Sequence, residues 1–404
     1  MNTNPLLQKL NPYPFERLAV LKAAVQAPND KAPIAFSIGE PKHPAPKMAE
    51  EAMVEAMHGL SIYPTTKGSD ELRTAIARWL DNRFKLASSP VNPATQVLPV
   101  NGTREAIFAF VQMAVDASKK NPLVVSPNPF YQIYEGAAYL AGAAPHFLNC
   151  TAENGFKPDY KSVPAEVWKD CQVLFLCTPG NPTGAVMSLE DFREVLELAD
   201  QHDFIVASDE CYSELYFDES TPPMGLLQAA AELGRSSYER CVVFHSLSKR
   251  SNLPGLRSGF IAGDANLMKD FLRYRTYHGC AMSTQVQAAS IAVWNDEQHV
   301  VDNRALYRAK FDAVLEILSP VMSVSLPEGG FYLWPQVPGG DDERFAQELF
   351  AKEHVTVLPG RYLSREVDGV LPGAGHVRMA VVATLEECIE GAQRLRRFVE
   401  QYTP

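Results

Sequence analysis

The feature that most restricts the fold of this chain is an alternation between short apolar runs and helical patterns from roughly residue 95 to 263. The apolar runs are rich in β-branched residues and read QVLPV, PLVVS, QVLFLC, FIVASD, CVVFHS and GFIAG. Between them, TREAIFAFVQMAVDAS and SLEDFREVLELADQH carry apolar residues at helical spacing, with Ser188 as a candidate N-cap. Strands without polar alternation that are separated by helices are typical of a mostly parallel sheet covered on both faces. We therefore predict an α/β fold.

The pattern changes from about residue 285 onward. A long helical stretch leads to the strand signals MSVSLPEGGFYLWP, VTVLPG and HVRMAVV, and the helical segment LEECIEGAQRLRRFVEQY follows them. This region predicts a smaller α+β domain that the N-terminal arm completes. We place the large domain at 48–285 and the small domain at 1–47 together with 286–404.

Charge and cysteine usage narrow the class of protein. The net charge is -11, and lysine and arginine form no long run, which disfavours nucleic acid and membrane as partners. The seven cysteines form no C-x-x-C pair, which favours reduced thiols and no metal site. The N-terminal segment lacks the apolar core of a signal peptide, so we expect a cytoplasmic protein.

Polar side chains follow several of the predicted strands, where a parallel sheet binds its ligands. These side chains belong to Asn181, to Asp209 and Tyr212, to Ser246, Ser248 and Lys249, and to Gly102 and Thr103 at a strand-to-helix junction. Each has a simple structural explanation: a tight turn at Asn181, a helix cap at Asp209, a solvated lysine at Lys249. Between residues 245 and 260 a phosphate site, a catalytic lysine and an ordinary basic turn all remain open.

Taken together, these residues and Arg257 suit one cofactor. The hydroxyls, Arg257 and the glycine before a helix suit a phosphate monoester, because helix N-termini and guanidinium groups bind anions. The carboxylate of Asp209 with Tyr212 and Asn181 suits a heteroaromatic ring, and Lys249 suits a carbonyl group with which an amine can condense. Pyridoxal 5′-phosphate (PLP) combines all three chemical groups.

The order of the motifs NPTG, SDECY, SLSK and GLRSGF resembles that of the class I aminotransferases among the fold type I PLP enzymes. The similarity extends from FSIGEP near the start to VRMA near the end. It implies the PLP-dependent transferase fold type I, in which a mostly parallel seven-stranded sheet lies between helices and a smaller α+β domain is attached. Within the family, YRTYHGCAMSTQVQAAS and GGFYLWPQ are similar to the N-succinyldiaminopimelate aminotransferases of bacterial lysine biosynthesis.

The resemblance assigns roles around the cofactor ring. Lys249 would bind the PLP aldehyde covalently and later move a proton between the substrate Cα and the cofactor. Asp209 would pair with the pyridine nitrogen, and Asn181 and Tyr212 would hydrogen-bond the ring oxygen. Tyr131 would stack on the ring, although a plain core aromatic is the alternative interpretation.

The resemblance also assigns the phosphate and substrate contacts. The phosphate would bind to Gly102, Thr103, Arg104, Ser246, Ser248 and Arg257, and Tyr63 would reach the phosphate of a neighbouring subunit, which implies a homodimer with shared active sites. Arg378 would bind the substrate α-carboxylate, beside Asn181 and the backbone of Gly39; a turn glycine is the alternative for Gly39. Arg250 receives no role.

The implied reaction is a ping-pong amino transfer that passes through pyridoxamine phosphate. For the subgroup, the amino donor is N-succinyl-LL-2,6-diaminopimelate and 2-oxoglutarate is converted to glutamate. Aromatic, aspartate, alanine and kynurenine aminotransferases and cysteine-conjugate β-lyases remain alternatives. The candidates for the side-chain pocket are Phe15 and Arg17 in the arm, and Arg273, Arg275 and Tyr277, of which the segment RYRTYHG is the first choice. A cofactor-binding protein without turnover would lack Lys249 or Arg378, and a dehydrogenase would need a G-x-G-x-x-G motif that the sequence does not contain.

Overall fold

The computed structural model of this chain describes residues 3–403. Residues 1, 2 and 404, which the predicted small domain includes, lie outside this range. The strands are β1 (Ile34–Ala35), β2 (Val97–Val100), β3 (Leu123–Asn128), β4 (Ala144–Asn149), β5 (Cys171–Cys177), β6 (Ile205–Asp209), β7 (Cys241–Ser246), β8 (Gly259–Gly263), β9 (Tyr332–Leu333), β10 (Val355–Thr356), β11 (Leu358–Pro359) and β12 (Val377–Ala380).

Helices connect and cover these strands. They are α1 (Pro14–Ala23), α2 (Lys47–Glu55), α3 (Asp70–Arg83), α4 (Thr103–Ala114), α5 (Ile133–Leu140), α6 (Ala165–Asp170), α7 (Leu189–His202), α8 (Leu226–Glu232), α9 (Leu247–Arg250), α10 (Ala265–His278), α11 (Thr284–Trp294), α12 (Gln298–Leu318), α13 (Asp342–Glu353) and α14 (Leu385–Gln401). Ser188 caps α7 as expected, because its hydroxyl accepts a hydrogen bond from the backbone of Asp191. None of the described helices is both long and apolar enough to cross a membrane.

The larger sheet has seven strands in the order β2-β8-β7-β6-β5-β3-β4. Strands β3 to β7 are mutually parallel, and β8 runs antiparallel to both of its neighbours. The central strands β6 and β7 are almost entirely buried because helices cover both faces of the sheet. Helices α4, α5 and α10 supply one face, and α3, α7, α8 and α11 supply the other. The predicted α/β fold of the fold type I class is thus confirmed.

A smaller unit has its own apolar core. Helices α12, α13 and α14 pack around the three-stranded sheet β11-β12-β9. The pair β1-β10 attaches the N-terminal part of the chain to this unit, with Ile34 opposite Val355. Helix α11 contacts α2 and α3 in the larger unit, so the chain passes between the two cores after Trp294. The limits 48–285 for the large domain and 1–47 with 286–404 for the small one stay a prediction.

Candidate active site

The predicted polar segments meet at the carboxyl ends of three adjacent strands. Asn181 follows β5, Asp209 ends β6, and Ser246 ends β7 and begins the short helix that carries Lys249. They surround a cleft with ≈ 380 Å³ of free space between the two units. The residues that line this cleft include Tyr13, Phe15, Gly39, Glu40, Thr103, Arg104, Tyr131, Asn181, Asp209, Cys211, Tyr212, Lys249, Tyr332 and Arg378.

Lys249 projects into the cleft from the single turn of α9. The hydroxyl of Ser246 caps this turn by accepting a hydrogen bond from the backbone N–H of Ser248, 3.1 Å away. The lysine amine donates a hydrogen bond to the carbonyl oxygen of Gly39 and lies 5.2 Å from the ring centre of Phe331. Burial lowers the pKa of Lys249 from 10.5 to about 8, and the nearby cations of Arg378 and Arg104 act in the same direction. The amine is therefore neutral in a large fraction of molecules near pH 8.

Asp209 is a buried carboxylate with two donors. The hydroxyl of Tyr134 donates to Oδ2 at 2.9 Å, and the backbone N–H of Cys211 donates to Oδ1 at 3.3 Å. Burial raises the pKa of Asp209, while these hydrogen bonds oppose that rise. Sequence reasoning missed Tyr134, whose ring stacks on Phe175 with centroids 4.4 Å apart. Tyr134 lies in α5 whereas Tyr131 precedes that helix, so no local sequence pattern marked the contact with Asp209.

Most of the expected phosphate residues line a second cavity that adjoins the cleft. They are Thr103, Arg104, Ser246, Ser248 and Arg257; Tyr131 and Lys249 also line this cavity, whereas Gly102 does not. Gly102 precedes α4 with a φ of 90°, and a Cβ atom there would lie 2.2 Å from Nη2 of Arg257. A glycine is required at this point because of both its φ and the approach of the guanidinium group. The hydroxyls of Ser246 and Ser248 lie 2.9 Å apart beside it.

Arg378 enters the cleft from β12 in the smaller unit. Its Nη1 donates to Oδ1 of Asn181 at 3.1 Å, and its Nη2 donates to the carbonyl oxygen of Ser37 at 2.9 Å. The guanidinium group lies 4.4 Å from the ring centre of Tyr332. Its Nε is buried and has no hydrogen-bond partner among the described residues. These contacts fix the orientation of the guanidinium group, and its Nε–H is left as an unused donor.

Tyr332 is a second cleft residue that sequence reasoning missed. Its hydroxyl lies 3.0 Å from the hydroxyl of Tyr212. A Cβ atom on Gly39 would lie 2.0 Å from the hydroxyl of Tyr332. Gly39 is thus a close-approach glycine, where the backbone of the N-terminal segment meets Tyr332 and Lys249.

The side chain of Arg104 crosses the mouth of the cleft. Its Nε donates to the hydroxyl of Tyr131 at 2.7 Å, and its Nη2 donates to the hydroxyl of Tyr13 at 3.3 Å. Tyr131 is half-buried and lines both cavities, so it is a cleft residue as well as a packed aromatic. Arg104 joins the N-terminal arm to the start of α4.

Several candidates lie away from the cleft. Tyr63 is 99% exposed on the surface of the chain. Arg275 is fully buried and bonds both carboxylate oxygens of Glu105 at 3.0 Å, and Arg273 and Tyr277 do not line the cleft. The prediction that the segment RYRTYHG forms the side-chain pocket is therefore wrong as far as Arg275 is concerned, because Glu105 already neutralises its charge.

The two candidates from the N-terminal arm differ in position. Phe15 lines the cleft, whereas the guanidinium group of Arg17 lies 3.8 Å above the ring of Tyr362. Arg17 also approaches the carboxylate of Glu343 at 3.8 Å. Of this pair, only Phe15 is placed to contact a substrate.

Comparisons with known proteins agree with this geometry. The model of the family "Aminotransferase class I and II" matches residues 31–395. A curated LL-diaminopimelate aminotransferase of Dehalococcoides mccartyi is 32% identical over 408 residues, which cover 99% of this chain and 100% of that protein. The crystal structure of an aminotransferase from Neisseria meningitidis has 51% identity and a TM-score of 0.94, covering 97% of this chain and 99% of that one. A probable N-succinyldiaminopimelate aminotransferase from Thermus thermophilus has 27% identity and a TM-score of 0.83, covering 95% and 99%.

Proposed function

This chain belongs to the class I and II aminotransferases, which are PLP-dependent, and we propose that it transfers the amino group of N-succinyl-LL-2,6-diaminopimelate to 2-oxoglutarate. The observation that carries the choice of donor is the charge of the cleft. Arg104, Tyr13 and Tyr131 offer a cation and two phenols at its mouth.

The residues present fit PLP. Lys249 supplies an amine with a lowered pKa for the aldehyde, and Asp209 supplies a buried carboxylate for the ring nitrogen. The serine hydroxyls, the start of α4 and Arg257 supply donors for the phosphate, where the missing Cβ of Gly102 leaves room. When bound, PLP supplies an electron sink for the negative charge that develops at the substrate Cα.

The side chains of this chain then divide the work. Arg378 binds the α-carboxylate, because a forked guanidinium group with a free buried Nε suits two carboxylate oxygens. Lys249 takes the proton from the substrate Cα with its Nζ, which its lowered pKa permits near neutral pH. Asp209 would hold the proton at the ring nitrogen, and Asn181 and Tyr212 would hydrogen-bond the ring oxygen.

The distal end of the donor distinguishes two diaminopimelate substrates. Free LL-diaminopimelate carries a distal ammonium group, whereas succinylation converts it to a neutral amide and adds a carboxylate. Of the carboxylates that line the cleft in the described chain, Asp209 is buried and Glu40 is paired with Lys42 at 2.7 Å. The cleft therefore offers a better partner for an added carboxylate than for an ammonium group.

Direct transfer from LL-diaminopimelate is the second candidate, and the names of several relatives that are 30 to 33% identical favour it. A donor panel with 2-oxoglutarate separates the candidates by the glutamate formed. We expect the succinylated donor to have the highest kcat/KM, ahead of LL-diaminopimelate, alanine, aspartate, aromatic amino acids and kynurenine. A higher kcat/KM for LL-diaminopimelate would favour the second candidate.

Changing Arg104 tests the basis of this choice. A charge-assisted hydrogen bond contributes about 1.5 to 3 kcal/mol, so Arg104→Gln should lower kcat/KM for the succinylated donor by roughly 10- to 150-fold. The value for alanine should fall by much less, because alanine has no distal group and loses only the cofactor contact expected of Arg104. Arg17→Gln is the matched control, since Arg17 is another arm-side arginine that does not line the cleft.

We also propose a cytoplasmic homodimer with shared active sites. Leu60, Ile62 and Tyr63 are 70%, 63% and 99% exposed, and an apolar cluster of this kind is typical of an interface. A Tyr63→Ala subunit mixed with a Lys249→Ala subunit should restore activity, because one hybrid site then contains both native residues. Mixed dimers with no activity would contradict shared sites. The free thiols of all seven cysteines support the cytoplasm.

A further inference from the structure

Arg250 follows Lys249 directly and is a buried cation without a part in the chemistry described above. Its side chain is 2% exposed. The guanidinium group lies beside two adjacent indole rings, 5.4 Å from the ring centre of Trp79 and 4.8 Å from that of Trp294. A charge is costly to bury unless its donors are satisfied, so its partners indicate what it holds in place.

Those partners lie at the passage from the larger unit to the smaller one. Nη1 donates to the carbonyl oxygen of Val293 at 3.1 Å, and Nη2 donates to the carbonyl oxygen of Asp296 at 3.1 Å and to the carboxylate of Glu297. Helix α11 ends at Trp294 in the core of the larger unit, and α12, which begins at Gln298, enters the core of the smaller one from Tyr307 onward. Arg250 therefore binds the junction between the two cores.

The next two residues repeat the connection. The hydroxyl of Ser251 lies 2.9 Å from Nε2 of His299, and Nδ2 of Asn252 donates to Oδ1 of Asn303 at 2.9 Å. Three consecutive residues after Lys249 thus contact the junction and the first turns of α12.

The two groups that must meet on one substrate come from different units. Lys249 belongs to α9 beside the larger sheet, whereas Arg378 belongs to β12 in the smaller unit. A substrate whose α-carboxylate is bound to Arg378 presents its Cα proton to Lys249 only if the two units keep their relative position. A misplacement of about 1 Å between reacting groups can cost on the order of 100-fold in rate.

We propose that Arg250 is a positioning residue that aligns Lys249 with Arg378 by fixing α9 to the junction between α11 and α12. An arginine suits this task because its rigid planar fork directs donors on two nitrogens at separate acceptors, whereas a lysine carries its three donors on one rotating nitrogen. The inference rests on aminotransferase activity alone and does not depend on the succinylated donor. Any donor that the panel shows to be accepted serves for its test.

The test compares Arg250→Lys with the parent enzyme loaded with PLP. We expect kcat to fall by roughly tenfold or more while KM for donor and acceptor stays within about threefold, because binding survives and alignment is lost. The visible circular dichroism of bound PLP, measured per cofactor, should weaken as well, since it reports the orientation of the ring in the site. An unchanged kcat together with unchanged circular dichroism would overturn the proposal.

Two further variants keep the result interpretable. Arg394→Gln removes another buried arginine, which bonds the carbonyl oxygens of Ala32 and Glu353 in the smaller unit. An equal loss of kcat in Arg394→Gln at an equal fall in Tm would show a general stability effect and overturn the proposal. If Arg250→Lys does not fold, Glu297→Ala decides, because Glu297 is 53% exposed and tolerates truncation. Its kcat should fall by about threefold, and no fall would again overturn the proposal.

Discussion

Replacing Tyr134 with phenylalanine removes a hydroxyl group whose described partner is the carboxylate of Asp209, 2.9 Å away. Both side chains are buried, so water cannot easily take the place of the lost donor. A hydrogen bond to a charged group contributes about 1.5 to 3 kcal/mol. Because this hydrogen bond favours the ionised carboxylate, the pKa of Asp209, which burial already raises, should rise further in Tyr134→Phe.

The consequence should appear in cofactor affinity. A carboxylate that is harder to ionise is less often available to pair with a protonated ring nitrogen, so the Kd for PLP should rise, with the full strength of the lost bond setting an upper limit of roughly 150-fold. Titration of the apoprotein with PLP, followed by visible absorption, measures this constant. The kcat of the fully loaded variant should also fall, because Asp209 then holds the ring proton less firmly.

A matched control separates this effect from loss of a buried hydrogen bond in general. Tyr238 is also fully buried and donates its hydroxyl to the carbonyl oxygen of Ser89, away from the cleft. Tyr238→Phe should lower Tm but leave the Kd for PLP within about twofold of the parent value. The reasoning is refuted if Tyr134→Phe binds PLP as tightly as Tyr238→Phe does.

The remaining predictions concern the lysine, the clamp and the phosphate site. Because the neutral amine is the reactive form and the pKa of Lys249 is about 8, the rate at which apoprotein captures PLP should rise with pH up to about 8 and level off above it; a rise that continues to pH 10 would contradict the lowered pKa. Lys249→Ala should abolish turnover and leave no covalently bound, borohydride-reducible cofactor. Arg378→Lys should lower kcat/KM for every amino donor by roughly 10- to 150-fold, since a charge-assisted bond to the α-carboxylate is lost, and a loss confined to one donor would exclude this role. Gly102→Ala should raise the Kd for PLP, because its Cβ would displace the guanidinium group of Arg257. An unchanged Kd would exclude a phosphate site beside Gly102.

The fold and the centre of the site could be predicted because both depend on local patterns. Apolar β-branched runs between helices specify a parallel sheet, and such a sheet brings the carboxyl ends of neighbouring strands together. Asn181, Asp209 and Lys249 therefore meet although they are far apart in the chain. The class of aminotransferase is confirmed, whereas the site roles and the amino donor stay predictions.

The rest depends on packing between distant segments, which leaves no local pattern. Tyr134 looks like any core residue of α5, and its contact with Asp209 arises only when that helix packs on the sheet. Tyr332 reaches Tyr212 from the other unit. Arg275 looked available for a substrate and Arg250 received no role, because whether a cation is already paired is decided by its tertiary partners.

The order of strands in the larger sheet bears on how the enzyme matures. Its first strand in the chain, β2, pairs only with its last, β8, and the two halves of the phosphate site flank this pair, with Gly102 after β2 and Arg257 before β8. A nascent chain thus has no phosphate site until Gly263 has left the ribosome and the final strand has been inserted beside the first. Capture of PLP should then be a late event in folding, so that the appearance of colour during refolding reports completion of the sheet.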